Sequence, residues 1–375
     1  MKTRAAVLNE TGRPRPFAKS RPIAIEEVDL APPGPGEVLV EMAAAGLCHS
    51  DLSVITGDVP LPTPLVLGHE AAGIVKELGA GVDDLAVGDH VVMVFVASCG
   101  RCGYCAEGRP ALCDPGRRAN MKGTLLTGAT RLSRAGAPLN HNMGVSCFAD
   151  RAVVARGSLV KIDKAIPLNE AALFGCAIVT GVGAVVNTAQ VPAGATVAVV
   201  GLGGVGLATL LAALLVGARA AIAIDLRDDK LALARQLGAT ATHNAADKEI
   251  VRTIVRATAG GVEFAFDAAG AAPALELAFA ITRTGGTTLS SGIAARDARV
   301  SLPAAVLTLG ERTIKGSFMG SAVPSRDIPR FIELYRAGRL PIDRLLSDPI
   351  RLEDLNEGFD RLAEGSVVRQ MVRFG

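Results

Sequence analysis

Hydrophobic and polar positions give the chain two textures. Up to about residue 177, short β-type runs at 38–42, 73–77 and 89–93 are separated by Gly and Pro clusters. That pattern predicts strands joined by loops. From about residue 178 the apolar runs lengthen and alternate in type. Strands are predicted at 196–200, 220–224, 262–266, 286–290 and 313–317, and helices at 205–216, 228–237 and 273–281. Strand and helix alternating at this spacing make βαβ units and a doubly wound parallel sheet, so the fold class is α/β. Two amphipathic helical patterns, 328–337 and 352–363, and a strand at 367–374 complete the chain.

The stretch 171–218 holds 48 residues without a charge. Hydropathy alone would let it span a membrane. Asn187, Pro192 and several glycines cut it into short runs, as expected of a buried parallel strand with its flanking helices. Residues 1–17 carry Lys2, Arg4, Glu10, Arg13 and Arg15 and no apolar core, so no secretory signal is expected and a cytoplasmic location is. The formal charge of the 375 residues is +2 and aromatics make up 3%, which leaves neither a basic footprint nor stacking platforms for nucleic acid.

Gly201-Leu-Gly203-Gly204-Val205-Gly206 fits G-x-G-x-x-G, follows a predicted strand and opens a predicted helix. In that setting Gly201 makes the tight turn and Gly203 admits a pyrophosphate. Gly206 lets helix and strand pack closely, and the helix N-terminus supplies free N–H groups. Asp225, 19 residues after Gly206, stands where a carboxylate binds the adenosine ribose of NAD and repels a 2′-phosphate. Arg227 and Lys230 lie nearby, either as coenzyme contacts or as ordinary surface charges.

Seven cysteines in a cytosolic chain point to metal or catalysis before disulfides. Cys99, Cys102, Cys105 and Cys113 have the spacing C-x2-C-x2-C-x7-C, within a loop spanning 95–115. Four thiolates so close suit a closed tetrahedral zinc site. Three of them could also hold an iron–sulfur cluster, although the bacterial ferredoxin pattern places its fourth Cys after a shorter gap. Cys48 in Gly-Leu-Cys-His-Ser-Asp, His69 in Gly-His-Glu and Cys176 in Gly-Cys-Ala-Ile-Val-Thr would make a zinc set with an open position. Their separation means that spacing cannot establish it. Cys147 has no partner motif and reads as a small buried hydrophobe. His90, His141 and His243 read as surface or packing residues.

Taken together, these motifs resemble the zinc-dependent medium-chain alcohol dehydrogenases over essentially the whole chain, with Arg369 near the end adding to the match. The resemblance implies a discontinuous, mainly β, GroES-like catalytic domain at 1–177 and 320–375 around an NAD-binding Rossmann domain at 178–319. It implies two zinc ions per chain. The catalytic one would be held by Cys48, His69 and Cys176, with Asp51 orienting His69 and Glu70 behind the metal. The structural one would be held by Cys99, Cys102, Cys105 and Cys113. Ser50 would take the proton from the alcohol. Thr180, His49 and Arg369 would contact the coenzyme. Phe95, Asn142, Met143, Ile293 and Phe318 would line the substrate pocket, with Asn142 as a polar wall.

The expected reaction is oxidation of a primary alcohol to the aldehyde by hydride transfer to NAD, and its reverse. Ser50, smaller than the Thr of some relatives, leaves room for a bulky or aromatic alcohol. The long segment after Cys113 resembles dimeric branches, so a homodimer is expected through the last coenzyme-sheet strand near 300–315. Three other readings remain. A glutathione-dependent formaldehyde dehydrogenase would use Arg117 as anion anchor, but its acidic pair is matched only by Asp58. A polyol dehydrogenase would usually replace Cys176 by a carboxylate. A non-catalytic zinc- and nucleotide-binding protein would be expected to have lost a ligand, and none is lost.

Overall fold

The computed structural model describes residues 1–374. Two compact units divide the chain. One takes Met1–Cys176, Val323–Ile332 and the stretch from Leu346 onward; the other takes Ala177–Ala322 and Glu333–Leu345. This corrects the expected boundaries. The return to the first unit begins at Val323, not at 320, and residues 333–345 go back to the second unit. The reason is packing: Leu340, Ile342 and Leu345 are buried, and Arg344 donates to the Gln236 carbonyl at 3.0 Å.

In the first unit, Lys2–Leu8, Ile23–Leu30, Leu132–Arg134, Ala137–His141 and Leu65–Val66 close a barrel. A second sheet runs in the order Leu159–Ile162, His90–Met93, Ala71–Leu78, Glu37–Gly46, Met371–Arg373, with Arg151–Ala155 also paired to Glu37–Gly46. The last of these strands is shorter than the expected 367–374. Its antiparallel pairing, Met371 opposite Gly46, brings the chain's end beside the segment leading into Cys48. The core is Val, Leu, Ile and Ala with Phe17, Phe148 and Phe359. The chain has no Trp and few aromatics, so aliphatic side chains must supply the buried area.

The second unit is a parallel sheet in the order Ala241–Asn244, Ala220–Asp225, Thr196–Val200, Val262–Asp267, Thr282–Ser290, Thr313–Gly316. Every residue of Thr196–Val200 is buried, as a central parallel strand covered on both faces requires. The charge-free stretch resolves into the helix Ala177–Gly183, a π-helical turn Ala184–Ala189, that strand, and the largely buried helix Gly204–Leu215. Among the described residues no single helix is long and apolar enough to cross a membrane. The span 300–315 is not one strand: Ala304–Leu309 is helical, and only Thr313–Gly316, wholly exposed, pairs at the sheet edge.

Candidate active site

Three ligand-bearing segments of the first unit converge. Cys48 caps the helix His49–Thr56, directly after the strand Glu37–Gly46 and Leu47. His69 follows Gly68, whose φ of +95° and tight surroundings exclude a side chain: a Cβ there would lie 2.6 Å from the Phe148 amide nitrogen. Cys176 ends the buried run Ala172–Gly175. The ligand atoms of Cys48, His69 and Cys176 lie within 4.8 Å of one another, and the two sulfurs are 4.0 Å apart. A tetrahedral zinc with Zn–S bonds of ~2.3 Å separates its sulfurs by about 3.8 Å, so the spacing fits.

The histidine supplies the second test of fit. Its Nδ1 meets Asp51 Oδ1 at 3.0 Å, while Nε2 is buried without a hydrogen-bond partner. A buried ring nitrogen without a partner is costly unless something else uses it. Burial lowers the His69 pKa, but Asp51 and Cys48 together outweigh it and the ring is pushed well above its ordinary value. Cys48 is held well below its ordinary value by its hydrogen bond with Cys176 and by His69. Cys176 goes up, because the pair resists carrying two negative charges. A dication removes that conflict.

The four-cysteine loop forms a separate cluster, its sulfurs also within 4.8 Å of one another. Cys113 is buried and Cys99, Cys102 and Cys105 are half-buried. The Cys99 amide donates to Cys113 Sγ at 3.2 Å and the Cys102 amide to Cys99 Sγ at 3.3 Å, so the backbone wraps the sulfurs. Four sulfurs fill a tetrahedron and leave no open position.

In the second unit, Gly201 has φ +91°, and a Cβ on Gly206 would overlap the Gly201 carbonyl oxygen. Neither position accepts a side chain. Gly203 is different: a Cβ there would meet no protein atom within 4 Å. Its glycine is not required by packing, and it caps the helix Gly204–Leu215 with its free N–H groups. That open cradle fits a phosphate group. Asp225 Oδ2 accepts from the Leu202 amide at 2.7 Å and Oδ1 from the Arg227 amide at 3.0 Å, which ties the acidic residue to the turn.

A family profile described as "Alcohol dehydrogenase GroES-like domain" matches residues 34–164, and one described as "Zinc-binding dehydrogenase" matches 204–337. S-(hydroxymethyl)glutathione dehydrogenase of Synechocystis sp. is 37% identical over 378 residues, covering 100% of both chains. Among solved structures, benzyl alcohol dehydrogenase from Acinetobacter calcoaceticus is 32% identical, with a TM-score of 0.93 over 100% of each chain. A zinc-binding dehydrogenase from Sinorhizobium meliloti 1021 bound to NADP is 27% identical, with a TM-score of 0.82 over 100% of each chain. The chain belongs to the zinc-dependent medium-chain alcohol dehydrogenases.

For an alcohol dehydrogenase, the surroundings of the cysteine–histidine cluster depart from expectation at one residue. Asn142 is not a pocket wall. It is wholly buried, and its Nδ2 donates to Asp51 Oδ1 at 2.7 Å. A buried amide turns to the nearest carboxylate in preference to apolar space. Arg369 is also buried, and its guanidinium is paired with the Glu70 carboxylate. Of the other expected residues, Ser50 is half-buried with Oγ 3.8 Å from Cys48 Sγ, and His49 is exposed. Phe95 meets the His69 ring edge-on at 5.4 Å, and Met143 is half-buried in a left-handed turn with φ +51°. Thr180 is buried in the helix Ala177–Gly183 of the second unit. Lys230 is half-buried on the helix Asp228–Gln236, and Ile293 and Phe318 are 59% and 36% exposed.

Sequence reasoning missed Asp267. This buried carboxylate ends the strand Val262–Asp267 and accepts from the Ala269 amide at 3.0 Å and Ser290 Oγ at 2.9 Å, and so fixes the loop against which Gly201 packs. Its signal was available: an acidic residue closing an apolar strand before Ala-Ala-Gly, as Asp225 closes its own strand.

Proposed function

We propose that this enzyme oxidises a primary alcohol, bulky or aromatic ones included, to the aldehyde with NAD, and catalyses the reverse reduction. The observation that carries the reading is the convergence of Cys48 Sγ, His69 Nε2 and Cys176 Sγ beside the Ser50 hydroxyl. Bound at these places, zinc supplies Lewis acidity toward an alcohol oxygen and nicotinamide supplies the hydride acceptor. The protein's own groups do the rest. Asp51 keeps the His69 proton on Nδ1, which leaves Nε2 as the donor atom. Ser50 accepts the alcohol's proton and passes it on. Relatives often have a titratable histidine three residues beyond, where Ser53 stands here; a serine hydroxyl cannot store a proton near neutrality. We therefore assign the final step to water. Asp225 supports NAD over NADP by charge repulsion. Thr180 and His49 are proposed coenzyme contacts, and Phe95, Met143, Ile293 and Phe318 proposed substrate contacts.

A homodimer is proposed through the edge strand Thr313–Gly316. Ile314 and Leu309, the latter 84% exposed, with Val300, Val306 and Leu307, are exposed apolar side chains on or just before this edge that a second copy would cover. A cytoplasmic location is proposed on the reading of six of the seven cysteines as metal ligands and not disulfide partners.

A second reading is oxidation of a glutathione adduct of formaldehyde. It is favoured by the identity with the Synechocystis enzyme and by an exposed Arg117 on the helix Asp114–Lys122. The two are separated by following absorbance at 340 nm with NAD and ethanol, hexanol, benzyl alcohol or hydroxymethylglutathione in turn. Benzyl alcohol and hexanol are expected to give the highest kcat/KM. Turnover confined to hydroxymethylglutathione would replace the first reading by the second.

A further inference from the structure

Asp51 is wholly buried, and its Oδ1 gathers three donors: His69 Nδ1 at 3.0 Å, the Gly68 amide at 3.2 Å and Asn142 Nδ2 at 2.7 Å. Its Oδ2 has no hydrogen-bond partner. The carboxylate therefore hangs from one oxygen, and the contact with Asn142 is the shortest of the three. Asn142 is itself rigidly held. Its backbone N–H donates to Ser146 Oγ at 3.0 Å and its backbone carbonyl accepts from the Val145 amide at 3.0 Å, inside a turn where Met143, Gly144 and Ser146 all have positive φ. Asn142 Oδ1 is buried without a partner. An amide half-satisfied in an apolar interior is a cost that plain packing would avoid with an aliphatic residue. The half that is satisfied faces the carboxylate.

We propose that Asn142 is a positioning residue: through Asp51 it fixes the plane of the His69 imidazole, so that Nε2 stays aimed at the point shared with Cys48 Sγ and Cys176 Sγ. Without the amide, Asp51 keeps the 3.2 Å backbone tether from Gly68 but can turn about its Cβ–Cγ bond and carry the ring with it. The donor comes from a residue 91 positions after Asp51, on a turn that contributes no metal ligand. The proposal rests on the zinc reading of the cluster.

The test uses zinc-loaded full-length protein and the chelator 4-(2-pyridylazo)resorcinol. Asn142→Leu preserves volume and removes the donor, and Asn142→Ala removes it without crowding. In either variant one zinc equivalent should leave about 10- to 100-fold faster than in wild type, the usual effect of losing a partner of a ligating His. The other equivalent, in the four-cysteine loop, should leave at the wild-type rate. The visible absorption of the cobalt-substituted protein should shift, and kcat should fall with little change in KM for the alcohol. Unchanged release and an unchanged cobalt spectrum would overturn the proposal while leaving the zinc reading intact. Equal acceleration of both equivalents, or failure of both variants to fold, would assign Asn142 to the fold and overturn it too. A wild-type protein that binds only one zinc would remove the zinc reading itself.

Discussion

Arg369 and Glu70 form an ion pair whose side chains are only 4% and 0% exposed. The strand Met371–Arg373, paired to Glu37–Gly46, delivers the arginine, and Gly46 makes room: a Cβ there would lie 2.7 Å from Glu70 Oε1. Burial pushes the Glu70 carboxyl up, against the pull of Arg369. Removing one partner of a buried pair leaves a charge without compensation, at about 3–5 kcal/mol. Arg369→Met should lose that much stability in urea denaturation at fixed pH. The double variant with Glu70→Leu should recover most of it, because an apolar pair of similar volume needs no counter-charge. A single-variant loss under about 1 kcal/mol would mean that the pair is not holding the chain's end in place.

The two cysteine clusters should respond differently to the loss of one sulfur. Wild-type protein is expected to bind about two zinc equivalents by metal analysis. Cys176→Ala should retain about one, stay folded and lose turnover. Cys102→Ala should lower stability first, because a closed four-sulfur site contributes folding free energy directly. Full activity in Cys176→Ala would refute the catalytic assignment.

His141 offers a pH test on a residue outside both cysteine clusters. It is buried, with Nε2 accepting from the Arg131 amide at 3.1 Å. Burial, opposed by Glu37 and aided by Arg131, pushes its pKa down to about 4. An unfolded histidine titrates near ~6.5. Between these values the unfolded chain binds the proton and the folded chain does not. The stabilisation is therefore fully present above ~6.5 and is lost as pH falls toward 4, by about 3 kcal/mol in all. In His141→Gln the decline of stability between pH 6.5 and 4, followed by urea midpoints, should be shallower by about that amount. Parallel declines in the two proteins would show that the histidine is not responsible.

Legibility in the sequence followed burial. The strands 196–200 and 220–224 and the helix 205–216 were placed within a residue or so, because buried parallel strands are uninterrupted apolar runs closed by glycine turns. Lys2–Leu8 and Ile23–Leu30 escaped notice because Lys2, Arg4, Glu27 and Asp29 on them face water or ion-pair partners. Ala241–Asn244 and Ile250–Ala257 were missed as well; the strand is short and half-buried, and its Ala and Asn are poor strand formers. At the site, the local motifs were readable but their meeting was not. Nothing in spacing brings Cys48, His69 and Cys176 together; only the fold does. Asn142 shows the same limit from the other side. Its place in the chain suggested a pocket wall, and the turn with three positive φ angles aims it at Asp51 instead.

Asp225 should decide the coenzyme. Its carboxylate is fixed by the Leu202 and Arg227 amides, so it cannot swing away from a 2′-phosphate without breaking both contacts. Asp225→Gly should narrow the ratio of kcat/KM for NAD over NADP by at least roughly tenfold, or ~1.4 kcal/mol. A wild-type enzyme that already prefers NADP would place control with Arg227.

The glycine turn allows packing demand to be separated from ligand demand. Gly206 is required by the protein itself, since a Cβ there would overlap the Gly201 carbonyl and force the helix Gly204–Leu215 off the sheet. Gly206→Ala should therefore destabilise the fold by about 1–3 kcal/mol, the range for overpacking a tight contact. Gly203 has an ordinary φ of −74°, and a Cβ there would point into space that no protein atom occupies. Gly203→Ala should leave the unfolding midpoint within about 0.5 kcal/mol of wild type. If that space receives the coenzyme pyrophosphate, the methyl group takes its place, and the Kd for NADH by fluorescence titration should rise at least about tenfold. Measuring both variants by both methods gives opposite patterns: stability lost at Gly206, binding lost at Gly203. A Gly203→Ala protein that binds NADH as tightly as wild type would show that the phosphates lie elsewhere, and the open cradle above the helix would need another occupant.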